Sequence, residues 1–89
     1  MTNEMLFDKV LRRLRLSEKD IRSRRRTQSL VDARCLLAAA LMRQPLINQQ
    51  QVAAILGISQ GAVSKMLARH EDLLQVDPLY RNKWNSINS

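Results

Sequence analysis

Apolar residues recur along this chain at helical spacing almost from end to end. From about Asn3 to Leu14, the residues Met5, Leu6, Val10 and Leu14 share one face with Phe7 beside it, which predicts a first helix. Ser17-Glu18-Lys19-Asp20 offers a cap and a short helical turn ending near Ile21. Ser29-Leu30-Val31-Asp32 reads as another cap, opening a long helix through Leu36, Leu37, Ala40 and Leu41. Pro45 stops it, because the residue before a proline is pushed out of helical geometry. Asn48 caps the next helix with Gln51 as its capping-box partner, and Asp77-Pro78 restarts the chain after Leu74. Leu79, Tyr80, Trp84 and Ile87 then give the apolar stripe of a short C-terminal helix over about 78–87. The expected fold class is all-α: one domain over 1–89, with five or six short helices around a single core.

The segment from Gln49 to Ala68 is more specific than apolar spacing alone. Val52, Ala53 and Leu56 lie on one helical face. Gly57 then stands where the chain must enter the left-handed region, which only glycine does without steric cost. Ile58 plugs the corner, and Ser59 is a good N-cap for a second helix with Val63, Met66 and Leu67 on its inner face. Ala53 is small where the two helices cross. Together these residues predict a helix-turn-helix over about 49–68.

Composition narrows the class of partner. The 89 residues carry a formal net charge of +7, which in a folded domain points to a polyanion. With two glycines and two prolines, turn punctuators are too few for a chain of hairpins. Cys35 is the one cysteine, so no internal disulfide forms, and its neighbours Leu36, Leu37 and Ala38 suggest a small core residue. The N-terminus lacks the pattern of a signal peptide, and the apolar run Cys35–Met42 is too short to span a bilayer. A cytoplasmic protein with no membrane partner is expected.

The order of these elements resembles the C-terminal DNA-binding domain of the bacterial replication initiator DnaA, over roughly Met5 to Leu74. Leu14-Arg-Leu-Ser-Glu-Lys-Asp-Ile21 is similar to that family's break and short helix, and Arg22-Ser-Arg-Arg-Arg26 occupies its basic loop. Ser29-Leu-Val-Asp-Ala-Arg34 and the alanine- and leucine-rich run after it resemble the family's long supporting helix. The family's Asp-His-Thr-Thr signature is replaced here by Ser59-Gln-Gly-Ala62, so the initiator's own DNA box does not carry over. Locally, Leu56-Gly-Ile-Ser-Gln-Gly-Ala-Val-Ser-Lys65 is more similar to phage Cro-type repressors.

These features imply double-stranded DNA as the partner, with the helix over 60–70 in the major groove, where each base pair shows a distinct donor and acceptor pattern. The candidate base-reading residues are Gln60, Gly61, Ser64 and Lys65. Gln60 can pair with adenine and Lys65 with guanine, Ser64 is a promiscuous short contact, and Gly61 allows close approach. Gln49 and Ser59, at helix N-termini, together with Arg69, are candidates for phosphates. By resemblance, one of Arg24, Arg25 or Arg26 inserts in the minor groove while its neighbours and Arg22 hold phosphates; the alternative is a solvated charge run. Arg12, Arg13 and Arg15 are either a further contact or the wet face of the first helix. Tyr80, Trp84 and Ile87 either close the core or form the surface of a homodimer reading two half-sites.

No chemistry is expected. His70, Glu71 and Asp72 are adjacent in sequence and diverge on a helix, so they read as a surface helix end rather than a metal site. The chain has no glycine-rich phosphate loop and no nucleophile with a base at a recognisable spacing, so neither an enzyme nor a cofactor is expected, and no small-molecule pocket is evident. The leading expectation is a small transcriptional regulator. An accessory factor for replication, plasmid maintenance or transposition is the alternative within DNA binding, and an RNA-binding module or protein adaptor the alternative outside it.

Overall fold

The computed structural model of the chain describes residues 3–23 and 27–88. Among them run six α-helices and no strand: α1 (Asn3–Leu14), α2 (Glu18–Arg22), α3 (Gln28–Met42), α4 (Gln49–Leu56), α5 (Gln60–Val76) and α6 (Pro78–Asn88). The protein is all-α, as the apolar spacing indicates. None of the described helices is long and apolar enough to cross a membrane.

α3 is the hub. It packs against each of the other five helices, and Cys35 to Leu41 are buried on every side rather than along one stripe. A helix apolar all round belongs in the middle of a bundle. Leu36, Leu37 and Leu41 supply its bulk, while Ala33, Ala38 and Ala40 let neighbouring backbones come close. Around it gather Leu6, Phe7, Val10 and Leu11 of α1, Ile21 of α2, Val52, Ala53 and Leu56 of α4, Val63 of α5, and Tyr80 and Ile87 of α6.

Local capping sets most of the boundaries. Ser17 and Asp20 form a reciprocal capping box at the start of α2, and Asn48 and Gln51 form another at α4. Ser59 Oγ accepts from the Ala62 amide at 3.1 Å, and Asp77 Oδ1 accepts from the Leu79 and Tyr80 amides at 3.0 and 3.2 Å. Gly57 sits at φ +70, and the Ile58 amide donates back to Ala53 O at 3.0 Å, so the chain leaves α4 through a left-handed cap with Ile58 half-buried on the core. α1 ends the same way without a glycine: Arg15 takes φ 58, and the Leu16 amide donates to Leu11 O at 3.0 Å.

Several expectations need correction. Thr27, not Ser29, caps α3, and Asp32 is buried within the helix, accepting from Gln28 Nε2 at 2.8 Å. Met5 and Leu79 point to solvent, at 59% and 73% exposure, because Leu11 and Tyr80 complete the inward faces of α1 and α6. His70 is no surface residue: α5 continues to Val76, and the ring is 4% exposed between α5 and α6. Tyr80 and Ile87 are fully buried and Trp84 is half-buried against them. This stripe packs on the protein's own core.

The two glycines separate conformational strain from packing. A Cβ at Gly57 meets nothing within 4 Å, so Gly57→Ala costs only the left-handed backbone, about 1–2 kcal/mol in urea unfolding. Gly61 is helical and a Cβ there meets only Ser59 Oγ at 4.0 Å, so Gly61→Ala is expected to stabilise by up to about 1 kcal/mol. Equal effects of the two substitutions would contradict this assignment.

Candidate nucleic-acid interface

α4 and α5 are joined by Gly57, Ile58 and Ser59 and pack directly on one another. Val63 is buried, Met66 and Leu67 are half-buried inward, and this fixes what α5 shows to solvent. Gln60, Gly61, Ser64, Lys65, Ala68 and Arg69 are all exposed along its outer face. Four of these are the proposed base readers, and they share one surface because residues three and four apart on a helix are neighbours.

The residues assigned to phosphates separate into two kinds. Gln49 begins α4, and its Oε1 accepts from Ser64 Oγ at 2.5 Å, tying a residue at one helix start to the outer face of the next helix. Ser59 has its hydroxyl occupied as the cap of α5, so the groups it leaves for a ligand are the amides of the first turn, Gln60 and Gly61. Arg69 is exposed one turn beyond Lys65, and neither forms an ion pair among the described residues.

Arg22 behaves differently. Its Nη2 donates to Ile55 O at 2.7 Å, its Nε lies 3.2 Å from Glu18 Oε1, and its guanidinium stands 5.8 Å from the Phe7 ring centre. A carbonyl of the last turn of α4 lacks a helical partner, and this arginine supplies one. Arg22 is therefore braced against α2 and α4, while its side chain stays 45% exposed at the rim of the fold. Arg24, Arg25 and Arg26 lie outside the described residues. Arg12, Arg13 and Arg15 are exposed around the end of α1.

One residue was missed. Arg34, half-buried on α3, donates from Nε to Ile21 O at 2.9 Å and from Nη2 to Ser23 O at 2.5 Å. It pins the backbone that leads into the basic tract. The resemblance put an arginine on the supporting helix, but its carbonyl partners are contacts across the fold that no local pattern reveals.

Between α2, α3 and α5 the structure opens a groove of about 870 Å3 that no local pattern of residues foretells. Ile21, Val31, Ile58 and Met66 contribute apolar lining, and its cations are Arg22, Arg34, Lys65 and Arg69. Among the described residues no carboxylate lines it, although Glu18 pairs with Arg22 at 3.2 Å. The groove is open to solvent and continuous with the outer face of α5 through Ser59, Gly61 and Lys65. A trough lined by several cations suits an extended polyanion, since clustered like charges raise local anion concentration. Cys35 reaches its floor, but burial pushes the thiol up to about 11, so it is not a nucleophile at neutral pH. The described residues include no group of three or more His, Cys, Asp or Glu side chains able to hold a metal ion.

No protein-family model, curated protein or solved structure matches this chain.

Removing Arg34 leaves two carbonyls without their donor. Arg34→Met keeps the aliphatic stem and is expected to destabilise by about 1–3 kcal/mol in thermal or urea unfolding. An unchanged stability would show that those two bonds are replaced by water at no cost.

Proposed function

We propose that this chain is a sequence-specific double-stranded-DNA-binding protein, a small transcriptional regulator that acts by occupying its site. The observation that carries the reading is the cationic groove that runs onto the exposed outer face of α5. In this reading α4 and α5 are a helix-turn-helix and α5 enters the major groove, the width of which admits one helix. Gln60, Ser64 and Lys65 read base edges, with Gly61 allowing the helix start to approach closely. Arg69, Gln49 and the first-turn amides of α5 hold phosphates, which set the register without reading sequence.

The fold assigns its cations unequal work under this proposal. Arg22 and Arg34 are spent on backbone carbonyls and steady the wall of the groove, whereas Lys65 and Arg69 are available to a ligand. A role as accessory factor in replication, plasmid maintenance or transposition uses the same surface, and the genomic position of the bound site separates it from transcriptional control. An RNA-binding module is less well supported, because the three aromatics Phe7, Tyr80 and Trp84 are buried or half-buried rather than displayed for base stacking.

Selection from a random duplex pool at near-physiological salt, with excess competitor, tests the reading. An enriched motif is expected, and Lys65→Ala should cost about 1–3 kcal/mol on that motif and relax one position of it. Arg69→Ala should weaken all duplexes alike and lower the slope of log K against log salt by about 0.9. Absence of any enriched motif, or parental binding by both variants, would overturn the assignment.

A further inference from the structure

The chain has one histidine and one tryptophan, and the fold brings them together. His70 lies on the inner side of α5, and its Nδ1 is 2.6 Å from the hydroxyl of Tyr80 on α6. Its ring meets Trp84 of α6 edge-on, with centres 4.5 Å apart, and meets Tyr80 the same way at 5.5 Å. The Tyr80 hydroxyl has no other hydrogen-bond partner among the described residues, and Tyr80 is 1% exposed. A buried O–H needs an acceptor, so the neutral ring must carry its proton on Nε2 and accept through Nδ1.

Adding a proton breaks this arrangement in two ways. Nδ1 becomes a donor, so the Tyr80 hydroxyl loses its acceptor, and a charge appears where the ring is largely withdrawn from water. We propose that His70 is a proton-operated latch, whose protonation releases α6 from α5 while the α4–α5 pair stays packed on α3.

The charged neighbours do not cancel the effect. Burial lowers the His70 pKa from 6.5, and Glu71 on the same helix opposes this as the smaller influence. At Tyr80 burial is the largest influence keeping the phenol protonated, with the charges of Asp32 on α3 and Glu71 acting in the same direction and Arg69 against them. Arg43, after α3, stands 5.8 Å from the Trp84 ring centre and donates to Asn88 Oδ1, which adds a cation rather than a counter-ion near the latch. Among the described residues no α1 charge acts on His70 or Tyr80, although α1 also packs on α6.

The sign follows directly. Burial against α6 holds the ring below its ordinary value of 6.5, and release returns it toward that value, so release takes up a proton. Docking is complete above about pH 6.5 and weakens as the pH falls from there toward the docked value. The release is local because α4 and α5 keep their own contacts with α3 and with each other.

Both reporters occur once, so the whole chain serves without labelling. Trp84 emission and far-UV circular dichroism are recorded together from pH 8 to pH 4, on the parent and on His70→Gln. The expected parent behaviour is a red shift of Trp84 with its midpoint below 6.5, while most helical signal persists; His70→Gln shows no such step. A parent whose fluorescence and helicity fall together, or a His70→Gln variant with the parental step, would refute the latch. If His70→Gln does not fold, the ring protons of the single histidine are titrated by NMR in the parent. A pKa below 6.5 whose titration tracks the Trp84 shift supports the proposal, and one at or above 6.5 overturns it.

Discussion

Everything in this fold leans on the burial of α3. A helix that is apolar on all sides cannot stay at a surface, and each fully buried leucine contributes about 1.5–3 kcal/mol through removal from water. Leu36, Leu37 and Leu41 are completely covered, and all five other helices pack on α3. The alanines between them set how closely the neighbours approach. Since α3 faces α2, α4 and α5 at once, it also fixes where the groove opens and which side of α5 is turned away from the core.

The candidate site is therefore a by-product of packing as much as of its own residues. Val63 must reach the core, Met66 and Leu67 follow it inward, and Gln60, Ser64 and Lys65 are left outside by helical geometry. Two arginines that could have joined the cationic surface are instead committed to backbone carbonyls of α2 and α4 and of the residue after α2. Counting charge along the sequence overstates what is available to a ligand, because the net +7 includes cations doing the work of helix caps.

Features set by neighbours in the chain were legible in the sequence. Asn48 with Gln51, Ser59, Gly57 and Asp77-Pro78 each act over three or four residues, and each behaves as its type requires. Features set by distant partners were not. His70 looks like a surface residue until Tyr80, ten positions on, is folded against it, and Arg22 looks free until Ile55 O arrives from a helix far along the chain. Met5 and Leu79 fit an apolar stripe by spacing, yet each lies at the rim of its stripe, where the bundle is too small to cover it. Thr27 caps α3 in place of Ser29 because both are good caps and only the packing of Leu30 decides between them.

Under the proposed function, a duplex docks on the outer face of α5, with the start of α4 and the groove beside it. The most direct test is an amide NMR titration of the labelled chain with a short duplex, followed residue by residue. The account requires the largest shifts at Gln49, at Gln60 to Lys65 and at Arg69, with α6 unmoved at neutral pH. Shifts concentrated on α6 or on the exposed side of α1, with α5 silent, would contradict it.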